Sequence, residues 1–246
     1  MHVLIVGGTS GIGLAIVQAL CFEGYSISAL GRSSDAFRQW DRRFLPPRFF
    51  QADLAELRTL PGVYDAIEAA GGPIDAVIHA GAYLHPVRPV VELGFDELNR
   101  TLEINLKAPL LSTQLLLPKM LARSSGTIIN LSSRAANKPA KGWLAYSASK
   151  AGLEMISQSL ALELKETAVR VYSVNPGATR TSMRQKAFPT EDPTRLPEPL
   201  ETVGLYVHLL KDRPPSDGKT LDLYDWLDAN PDWRNYGLRL RKEFAS

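Results

Sequence analysis

The sequence has few of the features that mark secreted, membrane and metal-binding proteins. It has one cysteine, Cys21, so it can form no internal disulfide, and no apolar run reaches the ~18 residues that a membrane-spanning helix needs. The four histidines lack metal-ligand spacing, so we expect no metal site. The first strand pattern begins at His2, which leaves no room for a signal peptide. We therefore expect a cytoplasmic protein.

The charge is nearly balanced, with 28 Lys and Arg against 26 Asp and Glu and a net charge of +2. Such a small surplus argues against nucleic acid or a membrane surface as the main partner. Apolar residues make up 45% and charged residues 22% of the chain, as is ordinary for a soluble globular protein. Because nothing resembles a linker, we expect one domain over residues 1–246.

Short apolar runs alternate with longer stretches of helical periodicity. This alternation predicts an α/β fold, a doubly wound parallel sheet of about seven strands with helices on both faces. The predicted strands are residues 2–6, 26–30, 48–51, 74–79, 127–131, 169–175 and 219–223. The predicted helices are residues 14–23, a short helix with Pro61 in its first turn, and residues 95–121, 143–165 and 200–210. Ligands of such sheets bind at the carboxyl ends of the strands.

Two segments do not fit this alternation. Residues 182–199 contain four prolines, which predicts a loop or substrate lid rather than a regular element. Met183 and Phe188 in this segment either close over a ligand or pack on the protein surface. Residues 225–246 read as a polar C-terminal tail.

A glycine loop, GGTSGIG, lies directly between the first strand and the first helix. Its Gly7, Gly11 and Gly13 would permit a tight turn, close approach to a pyrophosphate and close packing of helix on strand. The amino end of the helix offers free N–H groups and a positive dipole end to the phosphates. In this position the loop predicts a dinucleotide site rather than a glycine-rich turn without a ligand.

The end of the second strand predicts which dinucleotide binds. NAD enzymes place an acidic side chain there for the ribose 2′-OH, and that carboxylate would repel a 2′-phosphate. Here the position is Gly31, followed by Arg32 and Ser33. The planar donors of arginine suit a phosphate, so we predict NADP(H) in preference to NAD(H). The alternative is that Arg32 is only a solvated surface charge.

The motif YSASK places Tyr146 and Lys150 at positions i and i+4, on one face of a helix. A free phenol, with a pKa of ~10, is a poor acid–base catalyst at neutral pH, whereas a neighbouring ammonium stabilises the phenolate. Ser133 lies 13 residues upstream, at the end of the fifth strand, where its hydroxyl could polarise a substrate carbonyl. The neighbouring Ser132 is its rival for this role.

Asn105 lies four residues before Pro109 in a predicted helix. Because Pro109 has no N–H, the Asn105 carbonyl loses its helical partner and must find another, such as water. The alternative interpretation is an ordinary proline kink.

The glycine loop, the Tyr-x-x-x-Lys pair and NPGATRT after the sixth strand resemble, in this order, the short-chain dehydrogenase/reductase family. The resemblance implies a Rossmann-type fold and reversible hydride transfer between a nicotinamide and a carbonyl/alcohol substrate, with Tyr146 as general acid/base. It implies that Lys150 also binds the nicotinamide ribose, and that Asn105 holds a water connected to Lys150. It favours Ser133 over Ser132 for steadying the carbonyl oxygen.

The same resemblance implies the other residues of the cofactor site. Thr9 and Ser10 would touch the adenosine phosphate and Asp53 the adenine amino group. Pro176, Gly177, Thr179 and Thr181 would face the nicotinamide carboxamide. The complete predicted cofactor site is Gly7, Thr9, Ser10, Gly11, Ile12, Gly13, Arg32, Ser33, Asp53, Leu54, Ala80, Gly81, Asn105, Tyr146, Lys150, Pro176, Gly177, Thr179 and Thr181.

Two features depart from the family pattern. His79 stands where the family usually has the second Asn of NNAG, and GKTLDLYDW replaces the usual Asp-Gly-Gly ending. The family's homodimer or homotetramer is expected, although the ending that commonly contributes to subunit contacts is altered. Two alternative functions are a non-catalytic NADP-binding regulator and a sugar-nucleotide epimerase or dehydratase, whose members usually carry an added substrate domain.

Overall fold

The structure is a computed structural model that describes residues 1–38 and 40–245. In this part of the chain, seven parallel strands form one sheet in the order β3-β2-β1-β4-β5-β6-β7. The strands are β1 His2–Val6, β2 Ser26–Gly31, β3 Arg48–Gln51, β4 Ala76–His79, β5 Gly126–Leu131, β6 Val169–Asn175 and β7 Thr220–Asp222. The helices are α1 Gly11–Phe22, α2 Leu60–Gly71, α3 Phe95–Leu102, α4 Ala108–Ala122, α5 Leu144–Glu163, α6 Ser182–Ala187, α7 Gly204–Lys211, α8 Leu223–Ala229 and α9 Pro231–Ala245.

The burial of the strands explains their apolar sequences. Every residue of β1, β4 and β5 is buried, because these central strands are covered on both faces. The edge strands β3 and β7 are partly exposed. The strand order reverses between β1 and β4, where the crevice of a doubly wound sheet forms. The predicted α/β sheet of seven parallel strands is therefore confirmed.

Alternate residues of β1 point to opposite layers of the core, as the pleat of a strand requires. Val3 and Ile5 pack in the layer formed with α1, α7, α8 and α9. Leu4 and Val6 pack in the layer formed with α2, α4 and α5. Both faces of the sheet are thus covered by helices, as predicted.

The helix predicted over residues 95–121 is in fact three consecutive pieces. Between α3 and α4, residues Glu103–Lys107 form a π-helical turn, in which the N–H of Ala108 bonds to the carbonyl of Glu103 rather than that of Ile104. Pro109, which has no N–H, sits in the first turn of α4. The irregularity expected near Asn105 is therefore present as a π turn, a form often found at functional sites.

Two sequence predictions were wrong about regular structure. Residues 182–199 contain the helix α6 and a 3-10 turn at Pro193–Arg195, so they are not simply a loop. The Thr181 side chain starts α6 by accepting a hydrogen bond from the Arg184 N–H, at 3.1 Å. Residues 225–246 are not a tail, because nearly all of the described part belongs to α8 and α9, with Leu227 and Leu240 buried in the core.

Candidate active site

The glycine loop is packed so closely that a side chain would not fit at two of its positions. A Cβ atom added to Gly7 would lie 2.4 Å from the Cα of Gly81, which follows β4. One added to Gly13 would lie 2.2 Å from the carbonyl oxygen of Gly7. Gly7 also has φ +82°, a conformation that favours glycine. The loop therefore brings its backbone as close to the neighbouring strand ends as the sequence predicts.

Segments that follow four different strands meet at this edge of the sheet. A Cβ at Gly11 would lie 3.3 Å from the Thr181 methyl group, and one at Gly81 would lie 2.7 Å from a Leu54 methyl group. Ala80 and Gly81 both donate their N–H to the Val6 carbonyl, at 2.9 and 2.7 Å. Ile12 is half-buried at the start of α1. The structure thus brings together residues that were predicted for different parts of the cofactor site.

The end of β2 carries the residues predicted to select the nucleotide. A Cβ at Gly31 would lie 2.6 Å from the Thr9 hydroxyl oxygen, so a larger residue there would displace Thr9. The Arg32 side chain is exposed and, among the described residues, takes part in no hydrogen bond or ion pair. Ser33 instead donates a hydrogen bond to Asp35 at 2.7 Å, and Asp35 pairs with Arg38. Ser10, also exposed, precedes α1 in extended backbone.

Asp53, after β3, already has partners in the protein. Its carboxylate accepts hydrogen bonds from the Ala55 N–H and from Arg100, each at 3.0 Å. Burial alone would raise the pKa of Asp53, but these two donors hold it below its usual value. The Arg100 guanidinium also lies 5.6 Å from the centre of the Tyr83 ring. Sequence reasoning missed Arg100, because nothing in its helix marks it as part of the site.

Ser133, Tyr146 and Lys150 meet at the carboxyl end of β5. Burial raises the pKa of the buried Tyr146 phenol, and the neighbouring Ser133 hydroxyl opposes the rise. The Lys150 ammonium lies 5.8 Å from the centre of the Tyr146 ring and donates to the Leu131 carbonyl at 2.7 Å. Burial lowers the pKa of Lys150 to about 8, and the charge of Glu154 opposes that shift. The arrangement can move a proton next to a stabilising cation.

The two candidate serines have different partners. Ser132 is buried and donates to the Glu154 carboxylate at 2.6 Å. Ser133 is half-buried, and its hydroxyl oxygen accepts from the Ala135 N–H at 3.2 Å, which leaves its proton free for another acceptor. The geometry therefore favours Ser133 as the serine that faces a substrate.

The Asn105 side chain fastens the π turn to two other elements of the site. Its amide oxygen accepts from the Tyr83 N–H at 2.7 Å, and its amide nitrogen donates to the Tyr83 carbonyl at 2.9 Å. The same nitrogen donates to Ser149 at 3.0 Å, between Tyr146 and Lys150 on α5. Asn105 is fully buried. Its side chain is thus used in holding the loop after β4, which leaves its main chain for the predicted role with water.

His79 stands where an asparagine was expected, and both of its ring nitrogens have hydrogen-bond partners. Its Nδ1 lies 2.7 Å from the Asn130 amide oxygen and its Nε2 lies 2.7 Å from the Ser112 hydroxyl. Because the Asn130 amide nitrogen donates to Ser157, the amide oxygen must accept, so Nδ1 carries the proton. Burial lowers the pKa of His79 to about 4. A neutral imidazole therefore joins β4, β5 and α4 beneath the site.

The segment after β6 is held against the carboxyl end of β7. Gly177 has φ +66°, and a Cβ there would lie 2.1 Å from the Tyr224 ring. Tyr224 donates to the Ala178 carbonyl at 3.1 Å, and Thr179 donates to the Pro176 carbonyl at 3.2 Å. Tyr224 was not predicted from the sequence, although an aromatic residue directly after the last strand could have indicated it.

An aromatic wall, formed by Trp143 and Phe188, stands beside Tyr146. The Trp143 ring lies 5.5 Å from Tyr146, edge to face, and 5.6 Å from Phe188. The Arg184 guanidinium covers Phe188 at 3.8 Å and makes two hydrogen bonds to Glu191, each 2.7 Å long. Segment 182–199 is thus fixed next to the proton-transfer residues.

In the part of the chain that the structure describes, no helix has the length and apolar character needed to cross a membrane. The described residues also contain no group of three or more His, Cys, Asp or Glu side chains that could hold a metal ion.

Comparisons with known proteins agree on one family. A family model described as short chain dehydrogenase matches residues 1–192. Uncharacterized oxidoreductase YciK of Escherichia coli K12 is 31% identical over 217 residues, which cover 85% of this chain and 86% of that protein. A Haemophilus influenzae protein named "Probable NADP-dependent dehydrogenase" is 32% identical over 182 residues, 71% of this chain and 69% of that protein. A structure from Shigella flexneri 2a, described as a short chain dehydrogenase complexed with NADP, has a TM-score of 0.84 and 31% identity, and the match covers 91% of this chain and 96% of the other.

Proposed function

This chain belongs to the short chain dehydrogenase family, and we propose that it is an NADP(H)-dependent oxidoreductase that acts on a carbonyl/alcohol substrate. The observation that carries the proposal is the meeting of Ser133, Tyr146 and Lys150 at the same edge of the sheet as the glycine loop. Bound nicotinamide would supply or accept the hydride. The residues of the chain would bind the nucleotide, hold the carbonyl oxygen and move the proton.

The residues present fit an NADP molecule. Close backbone packing occupies the space that side chains would need at Gly7 and Gly13. The backbone of the loop and the start of α1 are therefore available to bind a pyrophosphate. Arg32 is exposed and, among the described residues, its side chain makes no hydrogen bond or ion pair, although its charge helps to lower the pKa of Asp53; its donors are available for a 2′-phosphate. The NADP-bound Shigella flexneri structure and the name of the Haemophilus influenzae relative support the same nucleotide.

In the reducing direction, Tyr146 would donate its proton to the oxygen that becomes the alcohol. Ser133 would donate a hydrogen bond to that oxygen and hold it against Tyr146. Because burial raises the pKa of Tyr146, the phenolate left behind needs a stabilising charge. The Lys150 ammonium, 5.8 Å from the centre of the Tyr146 ring, would supply that charge. In the oxidising direction the phenolate would remove the alcohol proton.

Asn105 would support the return of the proton from solvent. Pro109 provides no N–H to the Asn105 carbonyl, and the π turn diverts the Ala108 N–H to Glu103. We assign this carbonyl to a water molecule that connects to Lys150. The Asn105 side chain would keep that carbonyl in place through its bonds to Tyr83 and Ser149.

The aromatic wall favours a substrate with an apolar or aromatic ring. Trp143 touches Tyr146 directly, so a carbonyl that reaches Tyr146 would place its substituents near the indole. Phe188 extends this surface from the segment that would act as the lid. Aromatic side chains bind planar apolar groups by stacking as well as by burial.

The expected homodimer or homotetramer would form through apolar surface. Met155 and Leu162 on α5 are 61% and 73% exposed. Light scattering of the purified protein, which reports mass in solution, would test this expectation.

The activity is tested by NADPH oxidation with a panel of ketones, aldehydes, quinones, 3-ketoacyl thioesters and sugars. We expect Tyr146→Phe to lower kcat by about 10²–10⁴-fold on any substrate that is turned over. Tyr25→Phe, a partly exposed site outside the cleft, is the matched control and should leave kcat unchanged. Turnover that survives in Tyr146→Phe would refute the mechanism. NADPH binding without turnover on the whole panel would instead indicate the non-catalytic regulator.

A further inference from the structure

A buried carboxylate that the proposed reaction does not use lies one helical turn beyond Lys150. Glu154 is only 6% exposed, and both of its oxygens accept hydrogen bonds. Oε1 accepts from the Ser132 hydroxyl at 2.6 Å, and Oε2 accepts from the Asn137 amide nitrogen at 2.8 Å. An amide nitrogen can only donate, so this set of contacts matches an ionised carboxylate. A buried charge without such partners would be costly.

The two partners of Glu154 mark the two ends of the loop that carries Ser133. Ser132 directly precedes Ser133, and Asn137 directly follows the 3-10 turn Arg134–Ala136. The Ser133 hydroxyl oxygen accepts from the Ala135 N–H within this turn. One carboxylate on α5 therefore binds the residues on either side of segment 133–136, which carries Ser133 next to Tyr146.

Glu154 is also the anion that acts on the Lys150 ammonium. The groups that face this ammonium come from three elements: Tyr146 and Glu154 on α5, His79 on β4, and the Leu131 carbonyl on β5. His79 is neutral at physiological pH, because burial lowers its pKa to about 4. Within the described residues, Glu154 thus provides the negative charge that offsets the burial of Lys150.

We propose that Glu154 is a positioning residue of this active site, which holds the Ser133 loop against α5 and keeps Lys150 in its charged form. This inference rests on the proposed roles of Ser133 and Lys150. The Glu154 side chain has two effects, its hydrogen bonds to the loop and its charge near the Lys150 ammonium. A different substitution tests each of them.

Glu154→Gln removes the charge, whereas Asn137→Ala removes one hydrogen bond and keeps the charge. We expect Glu154→Gln to move the alkaline limb of the kcat–pH profile down by about one pH unit, because the ammonium loses its counter-charge. Asn137→Ala should lower kcat severalfold and leave the limb in place. Glu163→Gln, an exposed acid on the same helix, is the matched control and should change neither quantity. An unmoved limb in Glu154→Gln would overturn the proposal.

A second measurement needs no substrate. Across a pH series with and without NADP⁺, the NMR chemical shift of the Lys150 side chain, assigned by comparison with Lys150→Met, follows its protonation and so reports its pKa. We expect a midpoint near pH 8 in the wild type, from the pKa of about 8, and a lower midpoint in Glu154→Gln. Equal midpoints would contradict the charge role even if no panel substrate is turned over. Failure of the wild type to oxidise NADPH would count against the proposed function alone.

Glu154→Asp covers the case in which the glutamine variant does not fold. This variant keeps the charge but shortens its reach to Ser132 and Asn137 by one methylene. We expect kcat to fall severalfold while the Lys150 midpoint stays closer to that of the wild type than in Glu154→Gln. Wild-type kcat in Glu154→Asp would overturn the loop-holding role.

Discussion

Trp143 packs edge-on against Tyr146, with ring centres 5.5 Å apart and ring planes 87° apart. The same indole contacts Phe188 from segment 182–199. The proposed proton donor and the proposed lid therefore share one aromatic neighbour. A substrate that displaces Phe188 or Trp143 would therefore change the packing around Tyr146.

Replacing Trp143 by alanine should weaken selection for ring-bearing substrates. The variant loses a stacking surface worth about 0.5–1.5 kcal/mol, so the ratio of kcat/KM for an aryl ketone over a small aliphatic ketone should fall by about 2–10-fold. Both values are measured with saturating NADPH. Phe188→Ala should produce a smaller change of the same sign. An unchanged ratio in both variants would exclude the aromatic wall from substrate binding.

Replacing Arg32 should change the choice of nucleotide. Arg32→Gln removes the donors for a 2′-phosphate, which should weaken NADPH binding by about 10-fold or more and leave NADH binding nearly unchanged. Arg32→Asp should go further and favour NADH, because its carboxylate repels the phosphate and accepts from a 2′-OH. Fluorescence titration gives both dissociation constants. Arg42→Gln, an equal loss of charge at another exposed arginine, is the control and should bind both nucleotides as the wild type does.

Two glycine-to-alanine changes should have opposite effects on stability. A Cβ at Gly13 would lie 2.2 Å from the Gly7 carbonyl oxygen, so Gly13→Ala must displace backbone and should cost at least about 2 kcal/mol. It should also abolish tight NADPH binding, since the displaced backbone is the glycine loop. At Gly62 in α2 a Cβ meets nothing within 4 Å, and Gly62→Ala should stabilise by about 0.5 kcal/mol. Denaturant unfolding compares the two, and equal stabilities would contradict the packing argument.

His79 should make the protein sensitive to acid. Its pKa is about 4 in the folded state, below the ordinary value of 6.5, so between these values the unfolded chain binds more protons. The unfolding free energy should therefore fall as the pH drops from 6.5 towards 4, by about 3 kcal/mol in total. His79→Asn has no such titration, so its stability should fall less between pH 7 and pH 4.5. The same loss in both proteins, measured by urea unfolding, would show that His79 does not titrate this way.

The sheet could be predicted from the sequence because strands buried on both faces are rich in apolar residues. Every residue of β1 and β5 is buried, and apolar residues dominate both runs, although β1 begins with His2 and β5 contains Thr127 and Asn130. Tyr146, Lys150 and Asn105 could be proposed because fixed spacings place them on helices. Strand limits were less accurate, since β4 begins at Ala76 rather than at residue 74.

Contacts between distant segments could not be predicted in the same way. Arg100, Glu154 and Tyr224 matter through partners that lie 47, 22 and 46 residues away. The helices α6, α8 and α9 were not predicted, because prolines and charged residues obscure the helical spacing of their apolar residues. In α8, Asp222 accepts from the Tyr224 N–H at 3.1 Å, a capping contact that a polar composition conceals.

The packing of α1 has a consequence for how the protein is made. Ile16 and Leu20 of α1 share a core layer with Leu205, Tyr206 and Leu240 of α7 and α9, which follow them in the chain and are synthesised later. During translation the strands cover one side of this layer, but the side that faces α7 and α9 stays exposed until those helices have emerged. Chains stalled or cut before α7 would expose this surface and tend to aggregate. The protein therefore needs α7 and α9 to keep the apolar face of α1 out of water.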